Sequence, residues 1–192
     1  DQTSIFKSER RFIYVKGSIS FHEWARHFIG IYGEQSKISI AFYLTALFSD
    51  YIFDRLDNLP ILNFYGKKGT GKNAQAMSLM ALFGKMQNPL QIHNATKAGL
   101  ATHMEEFVNA LFWIDEYKNS LDIDMIESLK GIYNRMGRTR NSMKEGQKKE
   151  GTTVNSMGII TGQESRQLLY TMLTRGRHEN HVHVVSTTDG DG

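Results

Sequence analysis

The chain has 192 residues, 40% hydrophobic and 22% charged, the balance of a soluble globular protein able to bury one sizeable core in one domain. Its net charge of +3 is too small for the total to attract nucleic acid, so any such attraction must come from local patches. With no cysteine, disulfides, thiolate metal sites and cysteine nucleophiles are excluded, and nothing resembles a secretory signal, which predicts a cytoplasmic location.

Arg11, Phe12, Ile13, Tyr14 and Val15 predict a short strand, after which Phe21, Trp24, Phe28 and Ile31 fall at helical spacing up to Gly30 and Gly33. Residues 36–56 read as a second helix, apolar on most faces, as expected of a helix buried between neighbours. Its uncharged stretch, 38–49, is 12 residues long, short of the roughly 18 to 20 needed to cross a bilayer, so no membrane partner is expected. Residues 1–57 therefore form an N-terminal strand and helical accessory layer. From Pro60 onward short apolar runs alternate with amphipathic segments, the pattern of a parallel sheet with crossover helices. A core over 58–186 follows, with 187–192 a polar tail.

The first core strand is predicted at 61–65, and the helix after it at 71–83. Between them, Gly66-Lys67-Lys68-Gly69-Thr70-Gly71-Lys72 matches the P-loop pattern, placed between an apolar strand and a helix start as phosphate binding requires. The glycines let successive backbone N–H groups turn toward phosphates, the helix N-terminus adds partial positive charge, and Lys72 reaches the terminal phosphates. The next position normally carries a hydroxyl that binds Mg²⁺; here it is Asn73, whose amide oxygen is a hard-cation ligand of different length and direction. Nucleotide binding is thus read more directly than hydrolysis.

A strand at 90–93 and a helix at 97–108 lead to an apolar strand at 111–114 that ends in Asp115 and Glu116. Such a strand opens at its C-terminal end into the ligand crevice of an α/β sheet, the form of a Walker B strand. Asp115 would hold Mg²⁺ directly or through water, and Glu116 would polarise the attacking water as general base. A helix is predicted at 122–136. The following segment carries Arg135, Arg138, Arg140, Lys144, Lys148 and Lys149 against Glu145 and Glu150, a basic patch suited to DNA or RNA phosphates, to a neighbouring subunit's nucleotide, or to solvent.

The strand predicted at 153–161 ends in Thr161 and is followed by Gly162 and Gln163; Thr161 and Gln163 are candidates for sensing a γ-phosphate, and Thr161 equally reads as an N-cap. A helix at 165–173 and a last strand at 181–185 complete the core. His178, His181 and His183 lack a carboxylate or cysteine at ligating spacing and read as a partly exposed strand edge rather than a metal site.

The stretches 63–72, 95–100, 113–119, 129–133, 137–140 and 159–164 resemble the P-loop ATPase domain of phage and mobile-element primase-helicase proteins. That resemblance covers about 36–164 and implies a P-loop NTPase (RecA/AAA+-like) α/β fold. It also implies an ATP-driven, Mg²⁺-dependent DNA helicase motor for DNA replication, acting on single-stranded or forked DNA as a homo-oligomeric ring. Asn73 departs from that family. The segment 164–182 resembles motif VI of the superfamily 1 helicases attached to conjugative relaxases, which makes the chain read as composite, with its seam at 161–164. There, Arg175 and Arg177 are candidate arginine fingers, or cations favoured by a helix C-terminus. The alternative to a motor is a nucleotide-binding, hydrolysis-impaired DNA-binding or assembly module.

Overall fold

A computed structural model describes residues 13–56, 60–84, 88–133, 135–139, 151–163 and 184–186, with only the backbone described at 130, 136–139, 151–153 and 184–186. Three helices come first: α1 (Phe21–Tyr32), α2 (Ser36–Ala46) and α3 (Ser49–Leu56). A capping box starts α1: the Ser20 hydroxyl accepts from the Glu23 N–H at 3.2 Å, and the Glu23 carboxylate accepts from the Ser20 N–H at 3.0 Å. Four-residue spacing then stacks Trp24 on Phe28 and Phe28 on Tyr32, with ring centroids 4.8 and 4.9 Å apart.

Two expectations fail in this layer. Ile13, Tyr14 and Val15 form no strand; they are exposed, and the Ile13 carbonyl lies over Gly84, where an added Cβ would sit 2.1 Å from it. The helix predicted over 36–56 is two helices. The Thr45 hydroxyl bonds back to the Ala41 carbonyl, the Phe48 N–H tightens onto Thr45, and Ser49 restarts the helix with its hydroxyl donated to the Asn155 carbonyl at 2.8 Å. A distant hydrogen bond thus overrides a continuous apolar pattern.

The core begins with β1 (Ile61–Tyr65), then α4 (Lys72–Met80), a 3-10 turn at Ala81–Phe83, and β2 (Leu90–Gln91) with its own 3-10 turn at Ile92–Asn94. It continues with α5 (Lys97–Glu105), β3 (Val108–Tyr117), α6 (Ile123–Tyr133), β4 (Met136–Thr139), β5 (Gly151–Thr153), β6 (Asn155–Gly162) and β7 (Val184–Ser186). Five strands make one sheet in the order β2-β3-β6-β1-β7, every neighbouring pair parallel, while β4 and β5 pair antiparallel on their own. Helices flank this sheet, and Phe28, Phe42, Tyr43 and Ala46 of the N-terminal layer belong to the same buried cluster as Leu62, Phe64, Leu111, Ile114 and Ile159. Among the described residues no helix is long and apolar enough to cross a membrane.

Boundaries shift where pairing decides. Val108 belongs to β3 rather than to the preceding helix, and Met136 opens β4 rather than closing α6. The predicted four-residue strand at 111–114 is a ten-residue one that contains Asp115 and Glu116. The predicted helix 165–173 and residues 181–183 lie outside the described residues, while Val184 and Val185 pair with β1 as part of β7.

β3 carries two irregularities against β6. From Val108 to Leu111 it takes three steps while β6 takes two, Asn155 to Met157, and from Ile114 to Tyr117 three steps again face two, Ile160 to Gly162. Each is a bulge, and each holds one non-glycine residue in the left-handed region, Asn109 at φ 50° and Glu116 at φ 63°. Between them the strands close tightly: a Cβ on Gly158 would lie 2.6 Å from the Phe112 ring, and one on Gly162 2.5 Å from the Tyr117 carbonyl oxygen.

Candidate functional site

β1 runs out into the glycine loop, where Gly66, Gly69 and Gly71 take φ of 149°, 91° and 78°. At Gly69 nothing lies within 4 Å of an added Cβ, so glycine is needed there for the hand of the backbone, not for space. Gly71 caps α4 without any side-chain hydrogen bond, leaving the first-turn N–H groups to an anion. Lys72, 7% exposed, folds back into the loop. Its ammonium donates to the carbonyls of Gly66 at 2.9 Å and Lys67 at 2.5 Å and to the Thr70 hydroxyl at 3.3 Å, matching three acceptors to its three protons. Burial pushes the Lys72 pKa below the ordinary lysine value, and the nearby Asp115 charge opposes that shift.

Across the cleft, the second bulge of β3 presents Asp115, which is buried, and Glu116, which is exposed. Asp115 Oδ1 accepts from the Thr161 hydroxyl at 2.5 Å and from the Glu116 N–H at 2.8 Å. Its Oδ2 accepts from Asn73 Nδ2 at 2.8 Å. Three of the carboxylate's roughly four acceptor positions are filled, leaving one on Oδ2. Behind this cluster the Trp113 indole N–H donates to Thr161 Oγ1 at 2.9 Å.

The two halves share one open cleft of about 420 Å³ at the C-terminal ends of β1, β3 and β6, within the size range of small-ligand sites. Lys68, Gly69, Thr70, Gly71, Lys72 and Asn73 line one wall; Asp115 and Glu116 line the other, with Tyr117, Lys118, Gly162 and Gln163 at its margin. Gly66 and Lys67 contribute through the carbonyls that hold Lys72. Thr161 is placed differently from a side chain reaching a phosphate: it is 0% exposed and lies beneath Asp115. Arg135 is no free loop cation. It caps α6 at φ 56°, its guanidinium lies 3.9 Å from the centroid of the Phe53 ring, and its Nε donates to the Val154 carbonyl at 2.8 Å. Arg138 is in β4, and Arg140, Lys144, Lys148, Lys149, Arg175, Arg177, His178, His181 and His183 lie outside the residues whose side chains are described.

The donors present fit a hard divalent cation. Because Asn73 turns its NH₂ to Asp115, its Oδ1 faces away from that carboxylate and makes no hydrogen bond among the described residues. One amide oxygen and one carboxylate position are then available, a partial oxygen set of the kind that bound phosphates and water complete. Among the described residues no group of three or more His, Cys, Asp or Glu gathers to hold a metal without such help. The sequence pattern assigns Trp113 and Gly162 no role of their own. A tryptophan inside a buried strand does carry a signal, since its N–H must find an acceptor.

No family model matches the chain, and no curated protein matches it. Among solved structures it is similar to one described as SCCmec type IV Cch, active helicase, with a TM-score of 0.56, 15% identity, 88% of this chain covered and 31% of that chain. A second, NtrX from Brucella abortus in complex with ADP, has a TM-score of 0.44 at 11% identity, covering 94% of this chain and 38% of that one. The chain thus spans under two fifths of either protein's length. At 15% identity the likeness to the helicase is one of fold.

Proposed function

We propose that this chain is the nucleotide-binding core of a P-loop NTPase of the RecA/AAA+-like type, an ATP-hydrolysing motor that works on DNA. The observation that carries the reading is the meeting of the Lys72 loop and Asp115 across one cleft, joined by the 2.8 Å bond from Asn73 to Asp115. ATP phosphates would take over the three hydrogen bonds of the Lys72 ammonium and receive the free N–H groups at the start of α4. Mg²⁺, when bound, supplies charge neutralisation at the β- and γ-phosphate oxygens. Asn73 and Asp115 would hold it. Glu116, raised into the cleft by the bulge, orients water for in-line attack on the γ-phosphorus and takes its proton, while the bond from that phosphorus to the β–γ bridging oxygen breaks and ADP leaves. Gln163, exposed at the rim, would hydrogen-bond the phosphoryl group as it passes to water. The helicase-like fold and the cationic stretch leading from Arg135 support DNA as the partner. Arg138, Arg140, Arg175 and Arg177 are the candidates for completing a neighbour's site in a ring.

Replacing Lys72 with Ala removes the main charge partner of the phosphates, and ATP affinity measured by calorimetry should fall roughly 100-fold. Unchanged affinity would sink the reading. In the wild type, ATP affinity should fall as pH rises, because binding needs the ammonium form. The lowered Lys72 pKa makes that loss begin below the ordinary value of 10.5. DNA coupling is tested by turnover with and without single-stranded DNA, where stimulation is expected. A second reading, nucleotide binding without turnover, is favoured by the amide at position 73. It predicts a wild type that binds ATP but does not hydrolyse it until Asn73→Ser restores a hydroxyl.

A further inference from the structure

Asp115 is held from beneath by a chain of two hydrogen bonds whose direction is fixed by chemistry. An indole N–H only donates, so Thr161 must accept from Trp113, at 2.9 Å. The single hydroxyl proton of Thr161 then has two acceptors within reach, the Ile114 carbonyl at 3.4 Å and Asp115 Oδ1 at 2.5 Å; the shorter contact to the charged oxygen wins. Trp113 is 3% exposed and Thr161 0%, so water does not substitute for either bond. Trp113 and Asp115 stand two apart on β3 while Thr161 comes from β6, so the chain ties the two strands together where the second bulge begins. Its effect is to turn Oδ1 into the sheet, which leaves Oδ2 to Asn73 and the cleft.

We propose that Thr161 and Trp113 are positioning residues that set the Asp115 carboxylate for a divalent cation, and that the Trp113 indole senses what occupies that carboxylate. Resting on the nucleotide-site reading above, this gives Thr161 a role other than contact with a γ-phosphate. Its proton is committed to Asp115, and it has no exposed surface.

The chain has two tryptophans, so selective ¹⁵N labelling gives two indole signals, and Trp113→Phe identifies one of them. Thr161→Val keeps the shape and removes the hydroxyl. Without any nucleotide, the Trp113 signal should shift while that of Trp24 stays, and Thr161→Ser should return it. The Mg²⁺ concentration that half-saturates the ATP complex should rise about 10-fold in Thr161→Val, as for other outer partners of metal ligands, and recover in Thr161→Ser. ATP affinity in EDTA should stay unchanged in both.

A Thr161→Val protein with the wild-type Mg²⁺ requirement overturns the proposal, as does one whose ATP affinity in EDTA falls along with it. If Thr161→Val does not fold, Asp115→Asn removes the charge at the far end of the chain. It should shift the Trp113 indole signal, and an unmoved signal overturns the proposal. A wild type that binds no ATP defeats the nucleotide reading alone, because the indole shifts are measured without nucleotide.

Discussion

The same backbone device appears at both ends of β3 and serves different purposes. Near the N-terminal edge of the sheet, the bulge at Asn109 is surrounded by hydrogen bonds. Asn109 Oδ1 accepts from the Asp50 N–H at 3.2 Å and lies 3.1 Å from the Ser49 hydroxyl, whose proton goes to the Asn155 carbonyl at 2.8 Å, so the start of α3 is joined to both strands. The Asn109 side chain, with the Tyr51 N–H, also holds the Asp50 carboxyl below its ordinary pKa. At the cleft, the bulge at Glu116 is held by its neighbour, Asp115 Oδ1 accepting from the Glu116 N–H at 2.8 Å; the Glu116 side chain is exposed and makes no hydrogen bond to another described residue, although glutamate tolerates φ 63° less readily than asparagine tolerates φ 50°. Left-handed backbone in a residue of this kind costs about 1 to 3 kcal/mol and persists where surrounding structure imposes it. The tight seat of the Tyr117 carbonyl against Gly162 is that imposition. At one bulge the left-handed residue's own side chain is bonded into the fold, whereas at the other it is left out of it and a carboxylate is presented to the cleft.

The largest expected effect of breaking this contrast is on chemistry. Glu116→Gln keeps the bulge and removes the proposed base, so on the reading above ATP turnover should fall by about 10² to 10⁴ while ATP affinity and unfolding midpoint hold. Equal loss of binding would show that Glu116 supports the fold or the phosphates instead. The matching change at the other end is Asn109→Ala. It removes the acceptor of the Asp50 N–H and leaves alanine at φ 50°, so urea denaturation should show a loss of about 1 to 3 kcal/mol. ATP affinity should not change, since the cleft lies at the opposite end of the strand. A drop in affinity beyond the loss of folded protein would mean the two bulges are coupled through β3.

Little of this contrast is legible in the sequence, and the reason is physical. Glycine announces its own backbone conformation, so the loop at 66–72 can be read residue by residue, and the run between Pro60 and Gly66 marks β1 at both ends. Asn109 and Glu116 announce nothing: the apolar run 110–114 looks like a plain buried strand, and its bulges exist only relative to the register of β6. Thr161 meets Asp115 from 46 positions away, so its role depends on strand pairing that no local pattern encodes. Arg135 looked like the first of six cations and is instead fixed by Phe53, a residue of the accessory layer. Chemistry carried by residue type was readable; chemistry carried by register was not.

The smallest expected effect is the most discriminating, because it predicts opposite signs for one substitution made twice. Glycine adopts either left-handed site freely but adds about 0.4 to 1 kcal/mol of chain entropy to the unfolded state. At Glu116 the side chain contributes no fold-stabilising bond among the described residues, so relief of about 1 to 3 kcal/mol of backbone strain exceeds that entropy. Glu116→Gly should therefore raise the urea midpoint while abolishing turnover, the trade expected of a strained functional residue. At Asn109 asparagine is already among the residues best suited to positive φ, so there is little strain to relieve. Both the hydrogen bond from the Asp50 N–H and the entropy term then count against glycine, and Asn109→Gly should lower the midpoint. If both variants are destabilised, Glu116 is held by interactions of its own and the cleft bulge is structural like its partner; if both are stabilised, the Asn109 contacts contribute nothing to the fold.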